Sequence, residues 1–295
     1  MKKNIGMEVR ANGKINLYLD VLSKNENGFH KIKSIMQSVS LCDRLIISAS
    51  KAIASSVNIS CDLPYVPCDE RNIAYKAAIK YLEVAGLCAE VNINLQKRIP
   101  VSGGMAGGST DAAAVLSALN RLFGGALTSE EMYKAASELG SDIPFCLMGK
   151  TALCEGRGEI LTKIENRAKL LLLIVPSSEN VSTPWAYSRL DEKFGDFASQ
   201  NNNTRYRALA KALAEGDTHG VAKNIYNIFE EVILPERPIA MRAKELLIEG
   251  GAMGAMMSGS GPTTFGIFAN TDERARAAEL LKNNGYYPKI AESII

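Results

Sequence analysis

A chain of 295 residues, 46% hydrophobic and 22% charged, is long enough to bury a large core in one or two domains. A net charge of +2 offers no basic field for nucleic acid, and the Met1-Lys2-Lys3 start has no apolar segment behind it. Six cysteines without a C-x-x-C pair, two histidines and no membrane-length apolar run argue against a zinc site and point to a soluble cytoplasmic protein with reduced thiols.

Ile15, Leu17, Leu19 and Val21 alternate with Lys14, Asn16, Tyr18 and Asp20, which predicts a strand with one apolar face. Lys14 and Asn16 project together from the other face, which by itself reads as solvated. Asn27-Gly28 predicts a hairpin turn, with Phe29-His30 directly behind it. Leu45–Ile47 and Val57–Cys61 read as strands, and Asn72 to about Ala85 as a helix ended by Gly86. Val91 to Gln96 alternates again and predicts a half-buried strand.

The next stretch, Ile99 to Leu116, organises the chain. Gly103, Gly104, Gly107 and Gly108 leave backbone N–H groups unshielded, and Ser109, Thr110 and Asp111 offer N-cap oxygens to a helix running to Gly124-Gly125. A strand, a glycine loop and a helix N-terminus in this order predict an anion site, with phosphate the favoured ligand over a plain turn. Gly103 and Gly108 have P-loop spacing, but Ser109 stands where that motif requires Lys, so a cation must come from elsewhere or from Mg²⁺.

Thr128-Ser-Glu-Glu131 is a capping box for a helix ending at Gly140, and Pro144 marks Ser141 to Pro144 as a loop. Strands are predicted at Thr151–Cys154 and Leu170–Val175, with a turn at Glu155–Glu159 between them. Ser199 to Asn203 reads as a polar surface loop. Helices are predicted at about Tyr206–Glu215, Val221–Glu230 and Pro238–Glu249. Met253–Met257 and Thr263–Phe268 read as strands joined by Ser258-Gly-Ser-Gly-Pro262. A helix at about Asp272–Asn284 and a strand near Lys289 close the chain. The mixture predicts an α+β protein of two domains, 1–160 and 161–295.

Three motifs in order, Lys14-Ile15-Asn16, Pro100 to Ala113 and Ser258-Gly-Ser-Gly261, make the chain resemble the GHMP kinases. Gly28-Phe29-His30, Gly140-Ser-Asp-Ile-Pro-Phe145 and Glu155-Gly-Arg-Gly-Glu159 make it most similar to the branch acting on a cytidine-diphosphate sugar alcohol. The resemblance implies a two-domain GHMP kinase fold with the active site in the cleft between domains. It further implies ATP- and Mg²⁺-dependent phosphorylation of the 2-hydroxyl of a methylerythritol carried on cytidine diphosphate. The alternatives are another GHMP small-molecule kinase, of homoserine or mevalonate type, or a silent binding protein with this fold.

Residue by residue, the resemblance makes Lys14 the cation at the transferring phosphoryl group and Asp142 the base, which without it would read as a turn residue. It assigns ATP binding to Pro100, Val101, Ser102, Gly103, Gly104, Met105, Ala106, Gly107, Gly108, Ser109 and Thr110. Substrate binding falls to Asn16, Phe29, His30, Thr183 and Tyr187, with Phe29 and Tyr187 stacking on the base and Trp185 packing. Ser109 and Thr110 are the candidate oxygens near Mg²⁺, whose protein ligands stay unknown. The chain departs from the family pattern at Ala11-Asn12-Gly13-Lys14, usually Ala-Pro-Ala-Lys, and at Asn27-Gly28-Phe29-His30, usually Asp-Gly-Tyr-His. Ala106 replaces a glycine and Thr110 a serine.

Overall fold

The computed structural model describes residues 5–24, 30–195 and 203–295. Asn27-Gly28, Phe29 and the polar stretch from Ser199 to Asn202 lie outside them. The chain opens with β1 (Ile5–Lys24), β2 (His30–Lys51), β3 (Ser56–Cys61), α1 (Ile73–Ala85), β4 (Ala89–Gln96) and α2 (Gly107–Leu122). Next come α3 (Ser129–Leu139), α4 (Ile143–Met148), β5 (Thr151–Gly156), β6 (Ile160–Lys163), β7 (Leu171–Val175), α5 (Thr183–Phe194), α6 (Asn203–Glu215) and α7 (Thr218–Asn224). It ends with β8 (Tyr226–Asn227), α8 (Glu230–Ile233) and a 3₁₀ turn, α9 (Pro238–Glu249), β9 (Gly254–Met257), β10 (Thr264–Phe268), α10 (Thr271–Asn283) and β11 (Lys289–Glu292).

The chain folds into two compact units that are not consecutive lengths of sequence. The first gathers Met1–Gly13, Cys42–Val101 and Ala106–Met148, and the second Lys14–Leu41, Ser102–Met105 and Gly149–Ile295. Residue 160, the sequence-based boundary, opens β6 inside the second unit.

In the first unit β4 pairs antiparallel with β2 and parallel with β3. Leu45, Ile47 and Ala49 of β2 and Val91, Ile93 and Leu95 of β4 point into one core beneath α1, α2 and α3. The other face is wet, with Asn58 Nδ2 donating to Asn92 Oδ1 and Asn94 Nδ2 to Ser60 Oγ. Alternation of this kind separates a buried face from a solvated one. The capping box forms: Thr128 Oγ1 accepts from Glu131 N, and Glu131 Oε2 accepts from Thr128 N.

In the second unit β8 runs parallel to β1, and β5 pairs antiparallel with β2 and with β6. A separate antiparallel sheet of order β11-β7-β10-β9 packs against α9 and α10 through Leu173, Val175, Leu246, Leu247, Phe268 and Leu281.

Three local expectations are corrected, and one helix lies outside them. Lys14, Asn16, Tyr18 and Asp20 are not solvated; all are buried, so this part of β1 is covered on both faces. Ser141 to Pro144 is not wholly loop, since α4 begins at Ile143 and tolerates Pro144 in its first turn, where no intrahelical N–H is needed. The helix expected over Val221–Glu230 breaks into α7, β8 and α8. Tertiary bonds cause the break, because Asn227 Nδ2 donates to Met257 O and Gly259 O while its Oδ1 accepts from Phe229 N. Helix α5 was not foreseen, although Ser182 caps it and Pro184 stands in its first turn.

Candidate active site

Helix α2 begins at Gly107, and its cap residue, Ala106, supplies no side-chain hydrogen bond. The expectation that Ser109, Thr110 or Asp111 caps it is therefore corrected. All three lie inside the helix: Thr110 Oγ1 donates back to Gly107 O at 2.9 Å, and Asp111 turns to a lysine. The first intrahelical bond of this turn is Thr110 N to Ala106 O, so the amides of Gly107, Gly108 and Ser109 have no helical acceptor. Three neighbouring N–H groups stand at the positive end of a 16-residue helix, an arrangement suited to an anion.

The preceding loop belongs to the second unit. Gly104 holds φ +76°, and a Cβ there would overlap Ser258 O and crowd Gly261 N. Only glycine serves both demands. Ser258 Oγ donates to Gly104 O at 3.0 Å, joining the central and C-terminal glycine motifs. Lys14 Nζ donates to the same oxygen at 3.1 Å and to Asn16 Oδ1 at 2.7 Å. Asn16 Nδ2 donates to Ser34 Oγ, which donates to Tyr18 O, so the lysine stands on a relay anchored in the strand backbone. Lys14 N also donates to Met105 O at 3.2 Å. Of the remaining loop residues, Gly103 and Met105 are buried, Pro100 is half-buried, and Val101 and Ser102 are exposed, Ser102 at φ +56°.

In the first unit a buried ion cluster lies under α2. Lys97 Nζ donates to Asp43 Oδ2 at 2.5 Å and to Asp111 Oδ2 at 2.6 Å. Burial opposes the Lys97 charge, but the two carboxylates outweigh it and hold the ammonium above its usual range. Burial pushes the Asp111 carboxyl up, helped by the neighbouring Asp43, to about 7. Sequence reasoning missed Lys97 and Asp43 and gave Asp111 another role. A signal existed: Val91, Ile93 and Leu95 point inward, and Lys97 continues their parity, so it demands anionic partners.

Asp142 is half-buried, and its carbonyl accepts from Cys146 N at the start of α4. In the second unit His30 stacks on Tyr187 with ring centroids 4.6 Å apart, and Tyr187 meets Phe229 edge-on at 5.0 Å. His30 Nε2 lies 2.7 Å from Asp191 Oδ1, and Lys24 Nζ donates to Asp191 Oδ2 at 2.8 Å. Partial burial raises the Asp191 carboxyl, but the bonds from Lys24 and His30 prevail and leave it below its usual range. Asp191 also escaped the sequence reading. Exposed Thr183 sits 3.2 Å from Ser260 Oγ through its own hydroxyl. Trp185 packs beneath Arg237, as its packing role predicts. Among the described residues no cluster of three or more His, Cys, Asp or Glu could hold a metal, and no helix is long and apolar enough to cross a membrane.

Residues 72–150 match the GHMP kinases N terminal domain, and residues 209–286 match the GHMP kinases C terminal. A 4-diphosphocytidyl-2-C-methyl-D-erythritol kinase of Caldicellulosiruptor saccharolyticus is 42% identical over 94% of this chain and 93% of its own. The kinase of that name from Clostridium perfringens strain ATCC 13124 is 39% identical over 96% of each chain. A crystal structure of 4-(cytidine 5'-diphospho)-2C-methyl-D-erythritol kinase superposes with TM-score 0.79 at 32% identity, covering 98% of this chain and all of the other. A homoserine kinase from Cytophaga hutchinsonii, at 18% identity and TM-score 0.75, covers all of this chain and 96% of its own and shares the fold. The α+β class and the motif resemblance are thus borne out, and the chain belongs to the GHMP kinases.

Proposed function

We propose that this protein transfers the γ-phosphoryl group of ATP to the 2-hydroxyl of 4-diphosphocytidyl-2-C-methyl-D-erythritol, in non-mevalonate isoprenoid precursor synthesis. The observation that carries this reading is 39–42% identity, over nearly the whole chain, to kinases bearing that substrate's name. The open amides of Gly107, Gly108 and Ser109 support it, as a cradle for nucleotide phosphates.

Phosphoryl transfer needs positioning, charge neutralisation and a nucleophile relieved of its proton. The glycine loop offers neutral donors only, so Lys14 is the cation assigned to the transferring group. Its bonds to Asn16 and Gly104 O hold the ammonium in place. Asp142 orients and deprotonates the hydroxyl. Asn16, His30, Phe29, Thr183 and Tyr187 form the substrate set, and the loop from Pro100 to Thr110 the nucleotide set. In this division residues 1–160 supply the nucleotide loop, Lys14 and Asp142, and residues 161–295 supply Thr183, Tyr187 and the C-terminal glycine motif. Mg²⁺, when bound, neutralises phosphate charge. The half-buried Ser109 hydroxyl fits an ion carried mainly on nucleotide oxygens and water, since among the described residues no group of three or more His, Cys, Asp or Glu could hold a metal.

A substrate panel with ATP and Mg²⁺, read by coupled ADP release, tests the reading. Turnover is expected with the cytidine diphosphate substrate and not with homoserine or mevalonate; turnover of either of those alone would overturn it. Asp142→Asn and Lys14→Met should each lower kcat far more than they raise KM, with base loss worth about 10²–10⁴-fold. A change confined to KM would assign both residues to binding.

A further inference from the structure

The nucleotide loop leaves β4 at Lys97 and re-enters regular structure at Gly107, and both of its ends meet one buried group of charges. Asp43, from β2, accepts with Oδ1 from Arg98 N and Ile99 N and with Oδ2 from Lys97 Nζ. Lys97 Nζ also reaches Asp111 Oδ2, one turn into α2, and lies 3.4 Å from Gly107 O. A Cβ on Gly107 would come within 3.5 Å of the same ammonium, so Lys97 sits directly beneath the first turn of the helix. All three side chains are at least nine-tenths buried. Asp111 Oδ1 has no hydrogen-bond partner.

We propose that Asp43, Lys97 and Asp111 act as one positioning group for the nucleotide, an ionic clasp that holds the strand exit and the first turn of α2 in register. The proposal rests on the ATP reading above. Its physical basis is that buried ions are a poor source of stability, since desolvation offsets their attraction, but a good source of unique geometry. The loop between the ends carries Gly103 and Gly104 and is costly in entropy to order. Fixing both ends beforehand lowers the cost of ordering the amides when phosphate arrives. The clasp touches no ligand itself; it acts through Gly107, Arg98 and Ile99.

The test compares Asp111→Asn, which keeps an oxygen acceptor for Lys97, with Asp111→Ala, which removes it. Binding of a non-hydrolysable ATP analogue with Mg²⁺, and separately of the cytidine substrate, is measured by calorimetry on the full chain. Asp111→Ala should weaken the nucleotide about tenfold or more, with the cytidine substrate within about twofold and Asp111→Asn within about threefold of wild type. Hydrogen exchange of the Gly107 to Thr110 amides should quicken in Asp111→Ala while α1 and α3 stay unchanged. If Asp111→Ala does not fold, Lys97→Met combined with Asp111→Leu removes one charge of each sign and leaves Asp43 its two backbone donors; the same selective nucleotide loss is expected. Unchanged nucleotide affinity, or equal weakening of both ligands, would overturn the clasp alone. A wild-type protein that binds no nucleotide would overturn the ATP reading, a result separable from either.

Discussion

Ala106 holds φ +57°, where an L side chain costs about 1 kcal/mol or more, at a position where the family pattern has glycine. Ala106→Gly should relieve that strain, less the extra freedom glycine gains in the unfolded chain, for a net gain of about 0.5 kcal/mol. Ala106→Val should lose more than about 1 kcal/mol, because a β-branched side chain tolerates this region least. Urea denaturation checks both, and a glycine variant less stable than wild type would deny the strain. Asp191 carries a second residue-level expectation. Its folded carboxyl lies below the usual range, so its bonds to His30 and Lys24 contribute stability above about pH 4, which is lost as pH falls through the folded value. Asp191→Asn should cost about 1 kcal/mol at pH 7 and progressively less as pH falls below about 4, discounted because the carboxylate is a third exposed. A cost unchanged across that range would show that charge plays no part.

At the scale of elements, what the sequence revealed was local chemistry. Thr128 and Glu131 announced α3, and Thr128→Ala should cost about 1 kcal/mol, with most of the loss shared with Glu131→Ala in a double-mutant denaturation cycle. Additive losses would mean the two bonds act independently. The parity of Val91, Ile93 and Leu95 likewise announced β4. The full length of β2 was hidden because buried Ser34, Gln37 and Asp43 look like solvent residues until their partners are known. Gln37 Oε1, for example, accepts from Thr151 Oγ1 and Asn166 Nδ2, both remote in sequence. The candidate site divides in the same way. The glycine loop and Lys14-Ile15-Asn16 are contiguous and legible. The bond from His30 to Asp191 spans 161 positions and that from Lys97 to Asp43 spans 54, so no local pattern could reveal them.

For the whole molecule, the consequence lies in how the chain is threaded. It passes from one compact unit to the other at 13/14, 41/42, 101/102, 105/106 and 148/149, so no single cut yields both units intact. A cut after residue 160 leaves the first unit with its whole core, from Ala11 to Ile143. The second unit loses Leu19, Val21 and Ile32 from its core, β1 as the neighbour of β8, and β5 as the neighbour of β6. The division at residue 160 is therefore expected to describe function without describing autonomous folding. In a fragment of residues 1–160, amides of β3, β4, α1, α2 and α3 should keep protection from hydrogen exchange, while those of residues 14–24, which lose β8 and the apolar partners of Leu19 and Val21, exchange faster. In a fragment of residues 161–295 the β11-β7-β10-β9 sheet keeps its own core with α9 and α10, while α5, β8 and α8, which lose the apolar surface of Leu19, Val21 and Ile32, should exchange fast. Mixing the two fragments should restore protection in residues 14–24, since β8 and its neighbours are then present. Native-like protection of α5 and α8 in residues 161–295 alone would show that the strands from the first half are dispensable to them.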